Sequence, residues 1–195
     1  MLKIHILTLG MYQTNTYIIH DEASKSCCVI DPGYDADTIL RKIEALGLTP
    51  EAILLTHGHF DHVGAVKDLA ADTGCRVFAC ADDDHLPPMF TGGKLYFTDR
   101  YAEGTILNIA GLYIRVLHTP GHTPGSVCLC VNDVIFSGDT LFAGSCGRTD
   151  IGGSWTDIQK SLKRLAALEG DFTVYPGHGE STTLAAERRY NPYMR

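Results

Sequence analysis

Four stretches of the chain gather side chains that can hold a metal ion or move a proton. The densest is Thr56-His57-Gly58-His59-Phe60-Asp61-His62, with four nitrogen or oxygen donors inside six residues. Imidazoles and a carboxylate at that density normally mean metal rather than an incidental polar loop, and Gly58 permits the tight turn that folds them inward. The second stretch is His118-Thr119-Pro120-Gly121-His122-Thr123-Pro124-Gly125-Ser126, where Pro-Gly segments on both sides restrict the loop around His122. His118 reads as a satisfied strand-end histidine rather than a ligand. Phe136-Ser137-Gly138-Asp139-Thr140 and Tyr175-Pro176-Gly177-His178-Gly179-Glu180 each add one donor. Alone, a Gly-Asp pair is ordinary turn chemistry. Taken together, His57, His59, Asp61, His62, His122, Asp139 and His178 form a set of N and O donors suited to zinc, iron(II) or manganese(II). Seven ligands exceed one open catalytic site and suit two ions that share a carboxylate, about 3.5–4 Å apart. Such a pair makes hydroxide available at neutral pH and polarises the carbonyl it attacks, which is the chemistry of hydrolysis.

Each cluster follows a short apolar run, so strand ends must position the donors. Strands are expected at residues 2–9, 16–19, 28–30, 53–55, 76–79, 105–109, 112–117, 127–131, 134–136 and 172–175, bounded by Gly and Asp-Pro-Gly punctuation. Helices are expected at 35–46, 63–71, 154–168 with Ser154 as cap, and 182–190. Residues 82–103 read as a long loop or short helical excursion, with 86–97 a wall for a substrate groove. Within it, Asp82-Asp83-Asp84-His85 reads as a solvated loop or helix start. In an α/β architecture strand ends collect on one edge, which would bring the four clusters together.

Composition narrows the function classes. The 195 residues, 45% hydrophobic and 20% charged, fit one globular domain. A formal charge of −7 opposes nonspecific nucleic-acid binding, and a nuclease would need a basic surface. No stretch has the length of a membrane span, and residues 1–10 read as a first strand rather than a secretion signal. Seven cysteines without any CxxC spacing point to reduced thiols in a cytoplasm. Cys146 reads as a packed thiol.

In their order along the chain, THGHFDH, HTPGHTPGS, FSGDTLF and YPGHGE resemble the signature of the metallo-β-lactamase superfamily, and within it the glyoxalase II (hydroxyacylglutathione hydrolase) group, particularly its single-domain relatives. The resemblance implies an α/β fold, a four-layer αβ/βα sandwich of two mixed sheets with external helices. It implies one domain over residues 1–195, without the helical C-terminal domain of glyoxalase II. It assigns His57, His59 and His122 to a first ion, and Asp61, His62 and His178 to a second. Asp139 would bridge them, Asp61 would also orient the attacking water, and Asp31 would stand behind the site. Arg148 matches a basic residue that contacts glutathione in the family, but ion pairing with Asp150 is an equal reading. Asp150 and Glu180 stand where the family has tyrosines, which argues against tight glutathione binding.

The implied activity is hydrolysis of a small acyl thioester by a hydroxide held between two divalent ions, zinc foremost with iron or manganese as alternatives. The implied partner is a small-molecule thioester, with no nucleic acid or membrane and with a monomer allowed. The alternative is a persulfide dioxygenase, whose relatives share Cys146-Gly147-Arg148-Thr149-Asp150 and hold one iron through equivalents of His57, His122 and Asp139. A β-lactamase is less favoured, because true lactamases usually differ in second-metal ligands and carry a secretion signal. A metal-stabilised scaffold without an open coordination position is the remaining possibility.

Overall fold

The computed structural model describes residues 1–195 and arranges them as two six-stranded mixed sheets, face to face, with helices on both outer sides. The first sheet runs in the order β1 (Leu2–Leu9), β2 (Thr14–Asp21), β3 (Ser26–Ile30), β4 (Thr49–Leu54), β5 (Arg76–Ala79) and β6 (Asp99–Arg100). Its first two pairings are antiparallel and the next three parallel. The second sheet contains β7 (Ile106–Ile109), β8 (Leu112–His118), β9 (Val127–Val131), β10 (Val134–Gly138), β13 (Thr173–Pro176) and β14 (Thr182–Thr183). A small hairpin, β11 (Leu141–Phe142) and β12 (Ser145–Cys146), stands apart.

Alternation within the strands explains the layers. In β3, Cys28 and Ile30 face the other sheet while Cys27 and Val29 face the helices, and all four are buried. The inter-sheet core adds Leu54, Phe78, Ile114, Val116, Leu129 and Phe136. Outside the first sheet, α1 (Ala36–Ala45) buries Ile39 and Ile43, and α3 (Val66–Thr73) buries Val66 and Leu69. Outside the second, α5 (Trp155–Ala166) buries Ile158, Leu162 and Leu165 beside α6 (Leu184–Tyr190). Full burial of each such side chain stabilises by about 1.5–3 kcal/mol. Ser154 caps α5 as expected, its hydroxyl accepting from the Asp157 amide at 3.3 Å.

Three expectations need correction, and the short helical excursion expected within residues 82–103 gains detail. Residues 63–71 do not form one helix: a single turn, α2 (Phe60–Val63), precedes α3, because the Ala65 amide donates to the Pro32 carbonyl at 3.0 Å rather than to its own helix; the same loop packs so closely that a Cβ at Gly64 would lie 2.3 Å from the Gly33 carbonyl. β4 begins at Thr49, not residue 53; Pro50 is accommodated at a register shift between Cys27 and Cys28, where a missing N–H costs least. Residues 82–103 hold a 3₁₀ turn (Ala81–His85), α4 (Pro88–Thr91) and strand β6. Residues 182–183 extend the sheet before Thr183 caps α6.

Candidate metal centre

The chain ends of β3, β4 and β5 lie side by side because these strands are parallel neighbours. Residues 55–59 leave β4 there, and the α2 turn carries Asp61 and His62. From the second sheet come His122, after β8, and Asp139 and His178, after the parallel pair β10 and β13. Asn15 fastens the His178 loop to the first sheet, donating to the carbonyls of Pro176 and Gly179 at 3.1 and 2.9 Å. Sequence reasoning gave Asn15 no role of its own. A Cβ at position 177 would lie 2.2 Å from Asp139 Oδ1, so only glycine lets the two strand ends close around the carboxylate.

All seven expected donors converge, six of them in two separate groups of three. The first contains His57, His59 and His122, and the second Asp61, His62 and His178; the ligand atoms within each lie within 4.8 Å of one another. Asp139 stands between them. Its Oδ1 is 3.4 Å from His62 Nε2, and its Oδ2 is 3.5 Å from His122 Nε2 and 3.6 Å from His178 Nε2.

Every imidazole is oriented through its remote nitrogen. His59 Nε2 donates to the Ile151 carbonyl at 3.1 Å, His122 Nδ1 to Arg148 at 2.7 Å, and His178 Nδ1 to Tyr12 at 3.0 Å. His62 Nδ1 donates to Asp31 Oδ2 at 3.0 Å. Thr56 gives its hydroxyl proton to the same Asp31 oxygen at 2.6 Å, so towards His57 Nδ1, 3.1 Å away, it can only accept. That fixes the proton on Nδ1 and leaves His57 Nε2 as a lone pair. Carbonyl and carboxylate partners of this kind are the usual supports of metal-binding imidazoles. Two buried polar atoms have no partner, His57 Nε2 and Asp139 Oδ1. Both belong to the proposed ligand set. A divalent cation is the group whose presence would satisfy them.

The two groups differ in charge state. Burial holds His57 well below the ordinary histidine range, reinforced by neighbouring histidines. Burial likewise lowers His122 and brings His59 down to about 4. Burial would also depress His62 and His178, but the carboxylates prevail: Asp139 and Asp31 raise His62 well above its usual value, and Asp61 and Asp139 raise His178. Asp61 and Asp139, despite their burial, are held below the ordinary aspartate range by these histidines.

Other expected positions fall into place differently. Arg148 pairs with Asp150 through two bonds of 2.6 and 2.5 Å, both side chains about two-thirds exposed. His118 sits near Cys80 and Asp82, but its Nε2 donates to the Pro124 carbonyl at 2.8 Å, as befits a strand-end histidine. Cys146 is a half-buried thiol. The solvated reading of residues 82–84 fails at Asp83, which is 2% exposed and hydrogen-bonds both histidine-bearing loops. Its only sequence signal was an acid shortly after a strand on the same sheet edge. A cavity of about 840 Å³ lies between α1, α3 and residues 91–96 of the expected wall; it reaches Phe60 but is lined by none of the seven donors.

A family model for the metallo-beta-lactamase superfamily matches residues 9–178. Hydroxyacylglutathione hydrolase GloC of Haemophilus influenzae is 35% identical, over 99% of this chain and 98% of that protein. The crystal structure of the BLEG-1 B3 metallo-beta-lactamase superposes with a TM-score of 0.90 at 34% identity, covering 100% of this chain and 99% of the other. That of ETHE1 from Myxococcus xanthus gives 0.85 at 31% identity, covering 97% and 83%.

Proposed function

The chain belongs to the metallo-beta-lactamase superfamily, whose members bind divalent metals, and on that premise we propose that it hydrolyses small acyl thioesters with two such ions. The observation that carries this reading is Asp139, whose two carboxylate oxygens face different histidines: Oδ1 towards His62, Oδ2 towards His122 and His178. His57, His59 and His122 would hold the first ion, and Asp61, His62 and His178 the second, with Asp139 shared. Zinc is the leading identity, and the same N and O donors accept iron or manganese.

Bound there, the ions would supply a deprotonated water as nucleophile and polarise the acyl carbonyl. The protein supplies the rest. Asp61, steadied by the Thr14 hydroxyl at 3.5 Å, would also orient the attacking water. Asp31 aims His62, and backbone carbonyls aim His59, His122 and His178, so no donor reorganises during reaction. A thiolate leaves without a strong general acid, since an ordinary thiol has a pKa of about 8.5. The relationship to GloC supports glutathione thioesters among the substrates, whereas the Arg148–Asp150 pair leaves no free cation at that position to attract them.

The test is a purified, metal-loaded protein assayed on a thioester panel that includes lactoylglutathione, with a β-lactam beside it because of the likeness to BLEG-1. Thioester turnover exceeding β-lactam turnover is expected; no turnover of any thioester would overturn the proposal. The likeness to ETHE1, with Cys146-Gly147-Arg148-Thr149-Asp150, supports a second reading as a persulfide dioxygenase. One iron per chain and oxygen uptake with glutathione persulfide would favour it.

A further inference from the structure

Asp83 is a buried carboxylate outside the ligand set, placed by the 3₁₀ turn after β5. Its Oδ2 accepts from the Gly58 amide at 2.7 Å and the Thr123 hydroxyl at 2.9 Å, and its Oδ1 accepts from the Gly125 amide at 2.6 Å. Gly58 lies between His57 and His59, and Thr123 directly follows His122. One carboxylate therefore grips the immediate chain neighbours of all three histidines in the first group, from two loops that belong to different sheets. The close approach is built into the sequence: a Cβ at Gly125 would lie 2.7 Å from the Asp83 carboxylate. These loops also meet at the strand roots, where the Val127 amide donates to the Thr56 carbonyl at 2.8 Å, and at the ligands, where His59 Nδ1 and His122 Nε2 lie 2.8 Å apart.

We propose that Asp83 is a positioning residue that sets the spacing of His57 and His59 against His122, and thereby the affinity and geometry of the three-histidine half of the centre. It has no contact with the second half, where Asp31 does the corresponding work on His62. Charged acceptors make stronger hydrogen bonds than neutral ones, and three donors converging on one buried carboxylate fix both loops at once. An asparagine keeps the shape but turns an NH₂ group towards at least one of these donors. The inference rests on the two-ion reading above.

The experiment is a cobalt(II) titration of metal-stripped protein, followed by the visible ligand-field bands, in the wild type and in the His178→Ala background where only the three-histidine half is intact. Asp83→Asn is expected to weaken cobalt binding at that half by about 10- to 100-fold and to shift its bands. The affinity of the Asp61/His62/His178 half should stay within about twofold of wild type, by the same measure of outer-shell effects. Thr123→Val, which deletes one of the three bonds, should do the same to a smaller degree, and it carries the test if Asp83→Asn does not fold. A purely structural role would weaken both halves together and leave the band positions unmoved; that result, or unchanged affinity in both variants, overturns the proposal. Uptake of a single ion by the wild type would contradict the two-ion reading alone, since the effect of Asp83→Asn is still read at the three-histidine half.

Discussion

The two halves of the centre use overlapping side-chain types, yet their histidines are shifted in opposite directions. In one, His57, His59 and His122 are buried and turn their remote nitrogens to a threonine hydroxyl and two backbone carbonyls, so burial dominates and keeps them neutral. In the other, His62 and His178 lie among Asp31, Asp61 and Asp139, and the carboxylates hold the protons on. A cation entering the first half meets lone pairs already available. A cation entering the second must displace protons, so its affinity depends more steeply on pH. Chemically similar ligands can thus give two unequal sites, with the difference set by the groups behind them.

Asp139 is where the comparison should break most completely, because both halves use it. Asp139→Ala is expected to reduce the bound metal in both halves and to cost several kcal/mol of transition-state stabilisation, about 10³-fold in kcat/KM; metal analysis and steady-state kinetics on a thioester check this. A selective lesion comes next. Asp31→Asn removes the charge that orients His62 directly and His57 through Thr56, and should weaken the second half by about 10- to 100-fold and the three-histidine half by less, as read by metal competition titration.

Acidification sharpens the same contrast. A proton competes with a cation once the pH falls near the ligand's own pKa. His62 and His178 lie above the ordinary histidine value, so competition there is already present near neutrality and grows as pH falls. His59 lies at about 4, and His57 and His122 are also depressed, so the first half should hold its ion further into acid. Dialysis at stepwise lower pH with metal analysis should show the second ion leaving first. The smallest effect is expected outside both halves. Arg148→Ala removes an exposed ion pair with Asp150, which solvent screens. KM for lactoylglutathione should therefore change by no more than about fivefold.

The convergence of the candidate donors was readable in the sequence because each cluster followed an apolar run at a strand end, where loop residues are free to serve chemistry rather than packing. The layered fold was equally legible in the alternation of strands such as Ser26–Ile30 and the helical spacing of Ile39 and Ile43. What escaped was set by distant contact. Asp83 sits in an acidic triplet that looks solvated, and its burial comes from Gly58, Thr123 and Gly125, at least 25 residues away in the chain. The break between α2 and α3 comes where the Ala65 amide turns to the distant Pro32 carbonyl, which no local pattern encodes. The early start of β4 defied the poor strand propensity of Pro50 and Glu51, because pairing with β3 outweighs it; the Glu51 carboxylate also receives the Ala110 amide at 3.0 Å.

The central claim is that Asp139 joins two cation sites. Crystals of the metal-loaded protein measured at the absorption edge of the bound element test it most directly. The account predicts two anomalous peaks about 3.5–4 Å apart, one among His57, His59 and His122 and the other among Asp61, His62 and His178. A single peak, with His62 and His178 still paired to their carboxylates, would contradict it.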